Sequence, residues 1–269
     1  MDKIAIISDI HGNYTALQEV LNDMKEKNVD KLICLGDLVT KCANPDLVID
    51  LIRKKADVVI KGNCDDLICK NTNYSWSRNK IGKERLEYLD SLPVSYEFYL
   101  SGHLIRLFHA SPYSLEHVYN PMFSNANTRY RDKEIKSPEE MFLNTEFLGK
   151  NSDEPVPDIV GYGHIHTPNL FRFKNKTIFN PGSVGVPIEM SNTNVNDPNN
   201  KFSTLASYMI LEGKLDSKDL DEISFNLIRI PYNIEKEIED LRKSNMTNID
   251  TVIHNLKTAT PIYEVINKN

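Results

Sequence analysis

Cysteine is scarce in this chain: four thiols in 269 residues, Cys34, Cys42, Cys64 and Cys69, with no two spaced as a CxxC pair. A disulfide-stapled secreted scaffold and a thiolate zinc site are therefore not expected, and the four thiols read as reduced. Long apolar runs are also lacking, since no stretch approaches the ~20 residues that span a bilayer. The N-terminus carries Asp2 and only a short apolar run, Ile4 to Ile7, without the basic segment and longer apolar core of an export signal. A cytoplasmic protein with no membrane partner is the expectation. Positive charge is not in excess either: 32 Lys and Arg stand against 38 Asp and Glu, a net charge of −6. That balance argues against an extended nucleic-acid surface, whose affinity comes from clustered basic residues. Any anionic substrate must be held by something local.

What is present is a globular composition, 40% hydrophobic and 26% charged, on a chain long enough for one full core with appendages. Short apolar runs alternate with helical patterns through the first hundred residues. Ile4 to Ile7, Leu32 to Leu35 and Val58 to Ile60 read as strands; Asn13 to Lys27 and Pro45 to Lys55 read as helices, the rhythm of β-α-β units. Val94 to His109 reads as a hairpin turning at Ser101 and Gly102. Further strands are expected at Ile159 to Gly161, Leu170 to Phe173, Thr177 to Phe179, Leu205 to Leu211 and Phe225 to Ile230. Asn180 to Gly185 reads as a chain reversal at Pro181-Gly182, with a role for its backbone at a functional centre as the lesser alternative. A polar insertion spans Tyr113 to Lys136, a helix is expected after Ser137, and an Asn-rich loop covers Ser191 to Asn200. The tail after Pro231 reads as charged and helical, with Ile234, Ile238, Leu241 and Ile249 able to pack on the body or on a second subunit.

Five segments concentrate metal-ligand residue types, and four of them directly follow a strand-like run. They are Asp9-Ile10-His11, Gly36-Asp37, Gly62-Asn63, His109 and Gly163-His164-Ile165-His166. Residues two apart on an extended segment point the same way, so Asp-x-His and His-x-His can each present a pair of donors. Open α/β sheets place ligand sites at the carboxyl ends of their strands, where these segments lie. Seven donors, Asp9, His11, Asp37, Asn63, His109, His164 and His166, are too many for one tetrahedral ion and suit two centres sharing a carboxylate, with Asp37 the natural bridge. Oxygen and imidazole donors suit Mn, Fe, Zn, Co or Ni and do not choose among them. Two divalent ions facing only two Asp carboxylates leave a cationic centre that attracts and polarises phosphate and supplies a water nucleophile at neutral pH.

DxH, GD, GN, a strand-ending His and GHxH, in this order, resemble the calcineurin-like metallophosphoesterases over roughly Ile4 to Ile210. Leu35-Gly36-Asp37-Leu38-Val39, His109-Ala110-Ser111-Pro112 and Asn180-Pro181-Gly182-Ser183-Val184-Gly185 are similar to that family's bacterial predicted phosphodiesterases. The resemblance implies an α/β fold, a two-sheet β-sandwich flanked by helices, over residues 1–231, with a lid-like insertion at about 113–150 and a helical extension over 232–269. It also implies Asp9, His11 and His166 on one metal, Asn63, His109 and His164 on the other, and Asp37 between them, with Mn the expected ion.

Two positions depart from the family pattern. GDxxD ends here in Thr40, removing a carboxylate expected to orient a ligand. GNH(D/E) reads Gly62-Asn63-Cys64-Asp65, placing Cys64 where relatives carry a histidine that protonates the leaving group. A neutral thiol can donate a proton but cannot mimic an imidazolium. Cys64 is thus the candidate acid, and leaving groups that depart without much protonation, such as nucleotide phosphates, are expected. Arg129, Arg131 and Lys133 are candidates to hold outer phosphates, and Tyr113, Tyr119 and Phe123 to stack a base. The expected activity is hydrolysis of a small phosphorylated compound, a phosphodiester or dinucleoside polyphosphate. The alternatives are a phosphomonoesterase or Ser/Thr protein phosphatase, and, in another class, a non-catalytic scaffold.

Overall fold

Strict alternation in the first strand divides the molecule into layers. In the computed structural model, which describes residues 1–121, 134–188 and 203–260, Ile4 and Ile6 of β1 (Asp2–Ile7) face one core while Ala5 and Ile7 face another. Around β1 a five-stranded mixed sheet forms in the order β10-β9-β1-β2-β3. It contains β2 (Lys31–Cys34) and β3 (Val58–Val59), parallel to β1 through the α1 (Tyr14–Glu26) and α2 (Pro45–Lys55) crossovers, and antiparallel β9 (Ala206–Gly213) and β10 (Ser224–Ile230). Asn13 caps α1 through its side chain, which accepts the Ala16 amide.

A second five-stranded sheet has the order β4-β5-β6-β8-β7. The expected hairpin supplies β4 (Ser95–Leu100) and β5 (His103–Phe108); β6 (Ile159–Gly161) and β8 (Lys176–Asn180) run parallel to β5, and β7 (Asn169–Phe173) closes the edge. The inner faces of both sheets share one core, in which Ile4, Ile6, Ile33, Met209 and Leu211 meet Phe98, Ile105, Leu107, Ile159 and Phe179. This is a β-sandwich flanked by helices.

Three helices that the strand-and-helix reading left unassigned, α3 (Asn63–Lys70), α4 (Ser75–Ile81) and α5 (Lys83–Ser91), cover the outer face of the first sheet together with α1 and α2. The helix expected after Ser137 is instead two short 3-10 turns, Pro138–Phe142 and Glu146–Leu148, each too brief to lay down an α-helical ladder. Their Met141, Phe142 and Leu148, with Val118, Tyr119 and Ile135, bury the outer face of the second sheet against Phe108, Val160, Tyr162 and Ile178. The tail forms α6 (Ile234–Lys243) and α7 (Ile249–Thr258), which fold back so that Ile238, Leu241, Val252 and Leu256 pack on Cys42, Ala43 and Val186. Among the described residues no helix is long and apolar enough to cross a membrane. The Asn-rich loop at 191–200 lies outside the described residues.

Candidate metal centre

The loops leaving β1, β2, β3, β5 and β6 meet at one edge of the sandwich and are stitched together by backbone hydrogen bonds. Asp9 N donates to Gly36 O at 3.0 Å, His11 N to Asp37 O at 2.9 Å, and Gly163 N to His109 O at 2.8 Å. Asp9, His11, Asp37, His164 and His166 all hold left-handed backbone, with φ between +52° and +67°. Asp and His tolerate this region better than branched residues, at a cost carried by the surrounding bonds. The two glycines of the GD and GN segments let their loops touch. A Cβ on Gly36 would lie 2.3 Å from the Gly62 nitrogen, and one on Gly62 would lie 2.1 Å from Asp37 Oδ1.

This stitching brings all seven predicted donors together. On one side, His166 Nε2 lies 3.3 Å and His11 Nε2 3.7 Å from Asp9 Oδ1, His11 Nε2 lies 3.0 Å from His166 Nε2, and Asp37 Oδ2 is 3.6 Å from His11 Nε2. On the other, His109 Nε2 and His164 Nδ1 converge on Asn63 Oδ1 at 2.9 and 3.0 Å, and Asp37 Oδ1 lies 3.5 Å from His109 Nε2. The two oxygens of Asp37 thus face two different donor sets.

Three imidazoles are aimed by backbone carbonyls. His11 Nδ1 donates to Val39 O at 3.0 Å, His109 Nδ1 to Leu35 O at 2.8 Å, and His166 Nδ1 to Val186 O at 2.5 Å. A carbonyl only accepts, so Nδ1 carries the proton and Nε2 turns inward. Burial, reinforced by Lys41, holds His11 well below the ordinary imidazole range, and burial together with His109 pulls His164 down to about 3. Both are neutral at pH 7. His109 moves the other way: burial opposes its charge, but Asp37 and Asp9 outweigh it. Burial alone would raise Asp9, yet His166, His109 and His11 bring its carboxyl well below the usual carboxylate range.

These residues fit a divalent cation. Asp9 Oδ1 is buried without a hydrogen-bond partner, and an unpaired carboxylate oxygen is costly unless a cation takes it. Donors ~2.1 Å from a common ion lie ~3.0–3.4 Å apart in octahedral or tetrahedral arrangement, close to the separations found on both sides. Asp9, His11 and His166 form one carboxylate-imidazole cluster, and Asp9, Asp37 and His109 another.

Several residues escaped sequence reasoning. Asp65, fully buried in α3, accepts the amides of Asp37 (2.8 Å), Leu38 (2.9 Å) and Gly62 (3.0 Å) and so clamps the GD loop to the GN loop. Burial and the neighbouring Asp37 push its carboxyl up to about 7. A carboxylate therefore orders the GD loop even though the family pattern ends in Thr40, whose hydroxyl lies 3.3 Å from His11 Nδ1. The Asn180 to Gly185 turn does more than reverse the chain. Ser183 Oγ donates to Asp9 O at 2.7 Å and Gly185 N to the same carbonyl at 3.1 Å.

Cys64, which the thiol spacing left out of any metal cluster, stands with His11 and Asp37, their ligand atoms all within 4.8 Å. Its amide donates to Asp37 Oδ1 at 2.8 Å, and burial, with Asp37, pushes its thiol well up, so it keeps its proton. Tyr119 is buried in the outer core of the second sheet and cannot stack on a ligand, whereas Tyr113 is exposed. Arg129, Arg131, Lys133 and Phe123 lie outside the described residues. A cavity of about 420 Å³ beside Trp76, Leu47 and Lys236 is lined by none of the seven donors.

Residues 2–196 match the model of the calcineurin-like phosphoesterase superfamily domain. The chain belongs to the calcineurin-like phosphoesterase superfamily, and as a member it is a metal-dependent phosphoesterase. An uncharacterized protein of Methanocaldococcus jannaschii is 29% identical over 254 residues, covering 90% of this chain and 93% of that one. Two solved structures share the fold at lower identity. A metallophosphoesterase from Sphaerobacter thermophilus has a TM-score of 0.64 at 21% identity, covering 96% of this chain and 99% of its own. A hypothetical protein from Pyrococcus horikoshii OT3 reaches 0.66 at 18%, covering 97% and 100%.

Proposed function

We propose that this phosphoesterase works with two divalent cations and hydrolyses a small phosphodiester or dinucleoside polyphosphate. The observation that carries the reading is Asp37, whose Oδ2 faces His11 and whose Oδ1 faces His109. Asp9, His11 and His166 would hold one cation, and Asn63, His109 and His164 the other. Bound there, the pair would polarise phosphorus and supply a water nucleophile at neutral pH. The chain's own residues do the rest: backbone carbonyls aim the imidazoles, Asp65 accepts the backbone amide of Asp37, and the Cys64 amide donates to Asp37 Oδ1.

Cys64 is the candidate proton donor to the leaving group. It is protonated and adjacent to Asp37. A thiol is a weaker acid than an imidazolium, which favours nucleotide phosphates and aryl oxides over alkyl alcohols as leaving groups. Mn is the expected ion, on donor chemistry shared with Fe, Zn, Co and Ni.

The test is Mn-dependent turnover of bis-para-nitrophenyl phosphate, para-nitrophenyl phosphate and diadenosine tetraphosphate by wild type and Asp37→Ala. Diester or dinucleotide hydrolysis that exceeds monoester hydrolysis and disappears in the variant supports the reading. A preference for the monoester would favour a phosphomonoesterase, and no turnover with any metal would favour a scaffold.

A further inference from the structure

Three residues beyond the family's GD motif, the chain makes an unusual excursion. Thr40 and Lys41 are consecutive left-handed residues, with φ of +71° and +63°, and neither is glycine. The excursion is held on both sides: Cys42 N donates to His11 O at 2.8 Å, and Ala43 N to Glu237 Oε1 of α6 at 3.5 Å. Its result is to turn the Lys41 side chain back toward the centre. Lys41 Nζ lies 2.7 Å from His11 Nε2 and 3.3 Å from His166 Nε2. It forms no ion pair with a carboxylate among the described residues.

An ammonium and a metal cation cannot share the same imidazole lone pairs. With a cation held by His11 and His166, like-charge repulsion would displace Nζ from the two imidazoles, within the reach of its four-carbon stem. The group that needs a cation there is the substrate's phosphate, in a protein whose net charge is negative. We infer that Lys41 is a substrate-positioning residue, its ammonium taking a non-bridging phosphate oxygen on the His11 and His166 side of the centre. This rests on the proposed two-cation hydrolase and refines its substrate class. A tethered positive charge favours substrates carrying more than one phosphate charge, such as polyphosphate anhydrides, over singly charged aryl diesters.

The experiment compares wild type, Lys41→Met and Lys41→Arg in three measurements on Mn-loaded protein: metal content, calorimetric binding of inorganic phosphate, and KM and kcat on diadenosine tetraphosphate and bis-para-nitrophenyl phosphate. The expected result for Lys41→Met is unchanged metal content and a phosphate Kd and dinucleotide KM raised about tenfold, the scale of one charge-assisted contact. The KM of the singly charged aryl diester rises by less, and Lys41→Arg recovers most of the loss on both substrates. Unchanged phosphate binding in Lys41→Met, or an effect equal on both substrates, overturns the inference. If wild type turns over neither substrate, the hydrolase reading fails by itself, and the phosphate calorimetry still decides the role of Lys41.

Discussion

The amide of His164 donates to Asp9 Oδ2 at 3.0 Å, tying the loop after β6 to the loop after β1. One oxygen of Asp9 is thereby spent on structure, while the other, Oδ1, is left buried and without a hydrogen-bond partner beside His11 and His166. Asp9→Asn should therefore keep the fold yet lose metal at this side, because an amide nitrogen or a neutral oxygen replaces the charged donor. Removing even an outer partner of a metal ligand costs ~10–100-fold, so activity should fall by at least about 100-fold. Metal content by elemental analysis, alongside an unchanged Tm of the metal-free protein, checks this.

Gly62→Ala places a methyl 2.1 Å from Asp37 Oδ1 and 2.2 Å from the Asp37 nitrogen. Asp37 must shift, and with it the amide that Asp65 holds. We expect destabilisation of about 3 kcal/mol together with loss of metal binding. Chemical denaturation with and without Mn separates the two effects, and a variant that binds metal normally would contradict the packing argument.

Arg106 is fully buried on the outer side of β5 and bonds Glu97 Oε1 at 2.6 Å, Leu143 O at 2.9 Å and Asn144 Oδ1 at 2.6 Å. Lys150 joins the network at Glu97 Oε2, 2.7 Å away. This is what ties the segment after the 3-10 turn to the second sheet. Arg106→Met leaves Leu143 O and Asn144 Oδ1 without their donor and Glu97 with Lys150 alone, and should cost ~2–3 kcal/mol in denaturant unfolding. A loss under about 1 kcal/mol would mean the network contributes little.

Glu237 on α6 is buried, and its Oε2 lacks a hydrogen-bond partner. Burial pushes its carboxyl above the ordinary value. Below the unfolded pKa of ~4.3 both states hold the proton; as pH rises toward and through the raised folded value, the unfolded state ionises more readily and stability is lost. Glu237→Gln removes that loss. Its Tm should exceed wild type at pH 7, and the gain should vanish near pH 4. A gain that is independent of pH would refute the assignment to ionisation.

The strands were legible because β1, β2 and β9 alternate between two apolar cores, and the donors were legible because they follow those strands. The hairpin at Ser101-Gly102 and the helical tail were equally plain. The helices between Asn63 and Ser91 were not, since their mixed sequence has few apolar residues and their packing comes from the sheet they cover. Asp65 was overlooked for a different reason: its task is to accept three amides brought together by folding, and no spacing in the chain announces that. The Lys41 contact depends on two left-handed residues that are not glycine, a backbone choice imposed by tertiary hydrogen bonds. Cys64 was visible as a departure from the family pattern, but its closeness to His11 and Asp37 required the loops to meet.

The proposed sharing of Asp37 by two cations is tested most directly by electron paramagnetic resonance of the Mn-loaded protein. Two ions bridged by Asp37 at ~3.5–4 Å should give an exchange-coupled spectrum at two equivalents per chain, replaced in Asp37→Ala by uncoupled ions or none. A simple six-line spectrum saturating at one equivalent in the wild type would contradict it.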